Sequence, residues 1–149
     1  MKQITEDRNT IESIIRQASV CRIGLSDDGQ PYVVPVCFGY EDGTLYFHSA
    51  PRGRKMDILR KNNAVCFQLD VDQEIVRSEE ACNWSVKYRS VVGFGRAFVV
   101  EEPEEKERAL DVILAHYIGQ PAGYPDATLQ RTAVVRVEID TMTAKVTGY

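Results

Sequence analysis

The chain has 149 residues, 44% of them hydrophobic and 27% charged, a balance that fits one globular domain over 1–149 and excludes a disordered or fibrous chain. Asp and Glu number 22 against 18 Lys and Arg, a formal net charge of -4 with no dense basic stripe, so no nucleic-acid partner is expected. The first eight residues hold no apolar run and nowhere do about eighteen apolar residues occur together, so the expected setting is cytoplasmic, with no membrane partner.

Within residues 6–18, Ile11, Ile14, Ile15 and Ala18 recur at i, i+3, i+4 and i+7 behind Thr5 as N-cap, which predicts an amphipathic helix. From Val20 the pattern changes to short apolar or alternating runs. Asp27-Asp28-Gly29-Gln30 and Glu41-Asp42-Gly43-Thr44 are strong turn sequences, so three strands are predicted at about 20–26, 31–40 and 44–49. Pro31 and Pro35 fall inside the second strand and have no N–H to give a ladder, which makes it an edge, bulged or open toward a ligand. A loop, Ala50-Pro51-Arg52-Gly53-Arg54-Lys55, leads into a short helix at 56–61 that stops at Asn62-Asn63.

Residues 64–71 read as a fourth strand and 85–100 as a long fifth, in which Gly93 and Gly95 mark bulges or close backbone approach. Between them, 72–84 read as loop or irregular strand. Pro103 opens a helix with Glu104 and Glu105 in the first turn, where the dipole favours them, and an apolar stripe of Ala109, Leu110, Ile113, Leu114 and Tyr117. Residues 119–126 carry two prolines and two glycines and read as loop, before a helical turn at 127–131 and strands near 133–139 and 143–148. Six or seven strands following one another, with three helices inserted, predict a mainly β, α+β antiparallel barrel over alternating βαβ units.

Cys21, Cys37, Cys66 and Cys82 form no C-x-x-C pair, and only His48 and His116 could join them, so no metal site is expected, and Cys21, Cys37 and Cys66, set among apolar residues, are expected to be buried free thiols. The most informative stretch is 31–59. At Gly53-Arg54-Lys55 a helix N-terminus would offer unpaired N–H donors, and two cations there oppose the dipole unless an anion sits between them. Solvated basic residues on a loop are the plainer alternative. His48 ends the run Leu45-Tyr46-Phe47 beside the Ser49 hydroxyl; its ordinary pKa permits proton transfer, although a lone histidine is more often structural. His116 is read as structural. Adjacent strand residues point to opposite faces and no G-x-S-x-G is present, which sets a serine hydrolase aside. Gly93-x-Gly95 lacks a third glycine, and there is no P-loop motif.

Several blocks, taken in order, resemble one known family: Cys21-Arg22-Ile23-Gly24, Gly29 to Val36, Tyr46-Phe47-His48-Ser49-Ala50, Gly53-Arg54-Lys55, Tyr88 to Gly95 and Glu102-Pro103-Glu104-Glu105-Lys106. That family is the pyridoxamine-phosphate-oxidase-like FMN-binding split barrels, particularly the nitroimidazole-resistance (Nim-type) branch. The resemblance implies a split barrel and a homodimer with FMN at the subunit interface, touched by both chains. It implies that Val34, Pro35 and Val36 border the isoalloxazine, that Ser49, Arg54 and Lys55 hold the phosphate with Ala50 beside them, and that Ser90 is a further contact. His48 matches the histidine that faces cofactor and substrate, here in a catalytic, proton-donating role.

The oxidase branch carries basic residues in the strand occupied here by Tyr32 to Cys37, which has none, so vitamin oxidation is not expected. Trp84 and Tyr88 are read as pocket walls or core. The implied function is FMN-dependent reduction of small electrophilic organic compounds such as nitroimidazoles, with a reduced nicotinamide or another donor. A flavin- or haem-binding carrier or sensor, and a deazaflavin-dependent reductase, stay open beside it.

Overall fold

The computed structural model describes residues 1–120 and 123–149. Eight antiparallel strands form one sheet: β1 (Lys2–Thr5), β2 (Cys21–Asp27), β3 (Gln30–Val36), β4 (Phe38–Glu41), β5 (Thr44–Ser49), β6 (Ala64–Val76), β7 (Ser85–Val100) and β8 (Ala133–Thr147). The helices are α1 (Arg8–Gln17), α2 (Arg54–Lys61), α3 (Pro103–Tyr117) and α4 (Asp126–Arg131). The three longer ones match the three expected. Among the described residues no helix is long and apolar enough to cross a membrane.

The ladder runs β3-β2-β6-β7-β8-β5-β4, with β1 added against β8. β3 and β4 are therefore the two ends of the sheet, yet only Cys37 separates them in the chain. Consecutive Cα atoms lie about 3.8 Å apart, so the sheet has to curl until its ends meet. The result is a barrel with no β3–β4 ladder across the Cys37 seam. The strand predicted at 31–40 is thus two strands. Pro31 and Pro35 lie on β3, which pairs with β2 on one side only, the position that tolerates a missing N–H.

Alternation fills the barrel. Cys21, Ile23 and Leu25 of β2, Leu45 and Phe47 of β5, Phe67 and Leu69 of β6, and Val135 and Val137 of β8 point inward. Ile11, Ile14 and Ile15 of α1 join this core at the end where β2 begins, and Met56, Ile58 and Leu59 of α2 join it at the other. The Asn62 side chain, just past α2, donates to the Ser26 carbonyl near the far end of β2, which fixes that second plug. Outside the barrel, Tyr46, Val100 and Val134 meet Ala109, Leu110 and Ile113 of α3 in a second apolar layer.

The hairpin turns form as their residues dictate: Asp28 and Gly29 have φ of 49° and 86°, Asp42 and Gly43 of 47° and 76°, the paired positive values of a two-residue turn. Asp7, and not Thr5, caps α1 by accepting from the Thr10 N–H. Thr5 is held instead in the ladder opposite Ala144, and its hydroxyl accepts from the Asp7 N–H. β1 escaped the sequence because its side chains are almost all exposed and show no alternation; backbone pairing alone places it. β6 runs on to Val76 through a register shift after Val71, where Asp72 takes a φ of 57°. The two strands predicted at the C-terminal end are one, β8, with its irregularity opposite Phe94 and Gly95. A Cβ at Gly95 would run into the Glu138 carbonyl, the close approach expected there. α2 starts two residues earlier than predicted, at Arg54. The loop expected at 119–126 includes residues 121 and 122, which lie outside the described residues.

α3 lies so close to β4 that a Cβ on Gly39 would sit 2.5 Å from the Val112 carbonyl oxygen. Gly39→Ala is expected to lower stability by about 1–3 kcal/mol, the usual cost of overpacking, read as a lower denaturant midpoint with unchanged slope.

Candidate functional site

The start of α2, the edge strand β3 and the end of β5 converge on one corner of the barrel. The Arg54 guanidinium lies 4.4 Å from the centre of the Tyr32 ring on β3, and the Lys55 ammonium 5.9 Å from that of Phe47 on β5. Neither cation is ion-paired among the described residues. Gly53, the residue before α2, has a φ of 131° and no side chain, so the first N–H groups of the helix have no side-chain cap. Burial pushes the Lys55 pKa below its ordinary value, as it does for any partly desolvated ammonium without a counter-ion. Two cations, one half-buried, at the positive end of a helix form an arrangement that an anion would stabilise.

Ser49 is half-buried and its hydroxyl donates to the Ala50 carbonyl at 3.0 Å, while Ala50 is exposed. Along β3, Val34 is half-buried, Pro35 exposed and Val36 buried. The strand's unpaired side leaves backbone N–H and C=O groups free for a ligand. The structure thus brings Val34, Pro35, Val36, Ser49, Ala50, Arg54 and Lys55 to one end and one edge of the barrel.

His48 shares the outer face of β5 with Tyr46, two residues before it, and so points away from the core toward α3. It opens on a pocket of about 240 Å³ walled by Cys37 from the barrel seam and by Leu110, Ile113, Leu114 and Tyr117 of α3. Of the three thiols expected to be buried only Cys21 is; Cys66 is half-buried, and Cys37 is exposed because it lies at the seam where the ladder is interrupted. Burial, with the Lys55 charge as the lesser cause, holds the His48 pKa below the ordinary 6.5. Because the folded state disfavours the proton, its contribution to stability is complete above about pH 6.5 and is lost as pH falls from there through the lower folded value. NMR titration is expected to give a His48 midpoint below 6.5, and His48→Gln to remove that part of the pH dependence of unfolding.

The seam is clasped by the end of α3. The Tyr117 hydroxyl accepts from the Phe38 N–H at 3.1 Å and donates to the Ser19 carbonyl at 2.9 Å. His116 is structural, as expected: its Nε2 lies 2.5 Å from the Ala18 carbonyl and its ring packs 4.3 Å from that of Phe38. Cys37, Tyr32 and Tyr117 were not singled out from the sequence for this site. The proline-broken strand was the available signal for Tyr32 and Cys37; nothing local marks Tyr117.

Ser90 makes no hydrogen bond to Ser49, Arg54 or Lys55 among the described residues. It is buried on β7 opposite Lys145 of β8, whereas Ser49 lies opposite Ala133. On the other side of β7, Ser90 pairs with Asp70, whose carboxylate meets Arg22, the residue opposite Pro35, so Ser90 lies three strands across from β3. Trp84 and Tyr88 form neither core nor this pocket. Trp84 is 53% exposed, with its indole N–H on the Ser78 carbonyl, and Tyr88 is approached by Lys145 at 5.5 Å. Both sit on the β6–β7 arm, where β6 runs on to Val76 through part of the stretch read as loop or irregular strand.

The family model for pyridoxamine 5'-phosphate oxidase matches residues 7–146. A candidate 5-nitroimidazole antibiotic resistance protein from Bacteroides thetaiotaomicron superposes with a TM-score of 0.87 at 40% identity, covering 98% of this chain and 87% of that one. A FAD and haem binding protein from Mycobacterium smegmatis gives 0.88 at 18% identity, covering 98% and 74%, and a flavocytochrome from Azotobacter vinelandii 0.85 at 23%, covering 98% and 70%. At those identities the last two speak for the fold alone. An uncharacterized protein of Rhizobium meliloti (strain 1021) is 31% identical over 62 residues, a stretch that spans 42% of this chain and 40% of that protein's length.

Proposed function

The chain belongs to the pyridoxamine 5'-phosphate oxidase family, and from that premise we propose that it is an oxidoreductase that holds FMN and reduces small electrophilic organic compounds. The observation that carries this reading is the pair Arg54 and Lys55, without ion-pair partners among the described residues, at the uncapped start of α2 and beside the open edge of β3. One helix N-terminus with two cations and the Ser49 hydroxyl suits a single phosphate group. Val34, Pro35 and Val36 offer an apolar edge strand along which a flat ring system would lie. The residues present therefore fit the cofactor.

FMN, when bound, supplies the redox chemistry. The chain's own part is to anchor the phosphate through Arg54, Lys55 and Ser49, to exclude water along β3, and to present His48. Neutral at physiological pH, the imidazole carries one N–H and one lone pair, and so can hold or pass a proton at the pocket mouth. A reduced nicotinamide is the proposed electron donor, and the cytoplasm the proposed setting. A second copy of the chain would cover the open β3 edge, where Val33 is 63% exposed, and would bring its own β7 serine toward this site.

The test is the visible absorption spectrum of the purified protein with the released cofactor identified by mass, and light scattering for the oligomer. A flavin spectrum at about one per chain, FMN by mass and a dimer are expected. A haem spectrum, or tight flavin binding with no reduction by any nicotinamide, would replace this reading by that of a carrier.

A further inference from the structure

Unpaired positive charge is concentrated around α2. Residues 50–64 carry Arg52, Arg54, Lys55, Arg60 and Lys61 against the carboxylate of Asp57 alone, in a chain whose formal net charge is -4. None of these cations is ion-paired among the described residues, nor is Arg96, which lies on β7 opposite Ala64. Arg54 and Lys55 stand at the head of the helix. Arg60 and Lys61 stand at its tail, roughly 9 Å further along an axis that rises about 1.5 Å per residue. Cations in a last turn agree with the helix dipole, which accounts for Arg60 and Lys61 but not for Arg96 on a strand.

The tail opens on a pocket of about 290 Å³ that Arg60, Lys61, Asn63 and Phe98 line together. Phe98 is half-buried; the Arg136 guanidinium lies 5.3 Å from its ring centre and is itself paired with Glu105 and Glu138. Arg60 donates to the Pro51 carbonyl at 3.2 Å, which leaves most of its donors free. The Asn63 carbonyl accepts from the Ala97 N–H at 2.8 Å, while its half-buried carboxamide makes no hydrogen bond among the described residues. An aromatic ring, a free carboxamide and cations without counter-ions are the set that recognises a purine nucleotide. The ring stacks, the amide pairs with the donor and acceptor of the purine edge, and the cations meet phosphate. About 290 Å³ equals roughly ten water volumes at about 30 Å³ each, room for a purine and its ribose.

We propose that this pocket seats the adenosine 2'-phosphate end of a reduced nicotinamide dinucleotide, so that the 2'-phosphorylated form is the donor. The assignment rests on the reading in which the protein is a flavin reductase fed by such a donor. A flavin dinucleotide also carries adenosine, but its phosphates all lie between its two ring systems, toward Arg54 and Lys55 on that reading. Cations at the purine seat itself call for a phosphate on the adenosine side, which the 2'-phosphorylated donor has and the flavin dinucleotide lacks.

The probe is adenosine 2',5'-bisphosphate, titrated calorimetrically into the purified protein with whatever flavin it carries. At about 0.15 M salt, exposed charges more than about 8 Å apart are largely screened, which keeps the two ends of α2 distinguishable. Binding at one per chain is expected, at least tenfold tighter than that of adenosine 5'-monophosphate. Arg60→Glu with Lys61→Glu should weaken it at least tenfold, and the milder Arg60→Gln with Lys61→Gln at least fivefold, in proteins that circular dichroism shows to be folded. Phe98→Leu should weaken it at least fivefold, whereas Phe98→Tyr, which keeps the ring, should stay within twofold of the parent. Arg54→Glu with Lys55→Glu should stay within threefold. Absence of binding, equal affinity for the monophosphate, loss of binding in the head variant in place of the tail variants, or FAD as the released cofactor would each overturn the assignment. Flavin per chain, measured on the same samples, keeps the two readings apart. Bisphosphate binding by a protein that takes up no flavin refutes the cofactor reading alone, and a flavin-loaded protein that does not bind the probe refutes the donor pocket alone.

Discussion

Arg54→Glu combined with Lys55→Glu is expected to yield a folded protein that purifies without flavin. In the proposed site each cation would give the phosphate a charge-assisted contact, about 1.5–3 kcal/mol apiece, and the substitution would replace both attractions by repulsion. At about 1.4 kcal/mol per factor of ten, loss of the two contacts alone weakens binding at least a hundredfold. The fold itself should not suffer. Neither side chain is ion-paired among the described residues, and glutamates in the first turn of α2 agree with the helix dipole where the native cations oppose it. The apo variant should therefore melt no lower than the apo parent by circular dichroism. Flavin content unchanged after purification would refute the placement of the phosphate at α2.

Phe47→Ala is expected to produce the largest loss of stability of any single substitution considered for this site. Phe47 is fully buried, pairs across the ladders with Phe38 and Val135, and underlies Lys55. Truncating a buried phenylalanine costs about 3–5 kcal/mol. For a domain of this size each kcal/mol moves the midpoint by roughly 2–4 °C, so a fall of about 10 °C is expected in a thermal melt. Phe47→Leu should cost less than half as much, because most of the volume is kept. A melting point within about 2 °C of the parent for Phe47→Ala would mean that the barrel core is not what holds β5 and the first turn of α2 together.

Much of this molecule was legible before its fold was known. Ile11, Ile14 and Ile15 announced α1, Pro103 and the stripe behind it announced α3 with its start correct, and the Asp-Gly pairs announced both hairpins. The cluster of cations at the head of α2 was legible too, since Gly53, Arg54 and Lys55 are neighbours in the chain and lie close in sequence to His48 and Ser49. These are short-range properties: a helical stripe, a positive φ or an unpaired helix start depends on a few adjacent residues.

What the tertiary structure alone decided is of another kind. The break at Cys37 follows from the closure of the sheet, because β3 and β4 must end on opposite edges that then meet. β1 exists because β8 offers Ala144 to Thr147 as a free ladder, not because Lys2 to Thr5 carry a strand pattern. The placement of Ser90 three strands across from β3 is a matter of ladder order and register. The pocket at His48 needs α3 to cross the outer face of β5, which happens because Gly39 lets Val112 approach and Tyr46, Val100 and Val134 give it an apolar floor. Local pattern therefore determined α1, α3, the two Asp-Gly hairpins and the cations at the head of α2. The seam, the second layer and the apolar seat beside His48 were decided by contacts between residues dozens of positions apart, whose energy no local window contains.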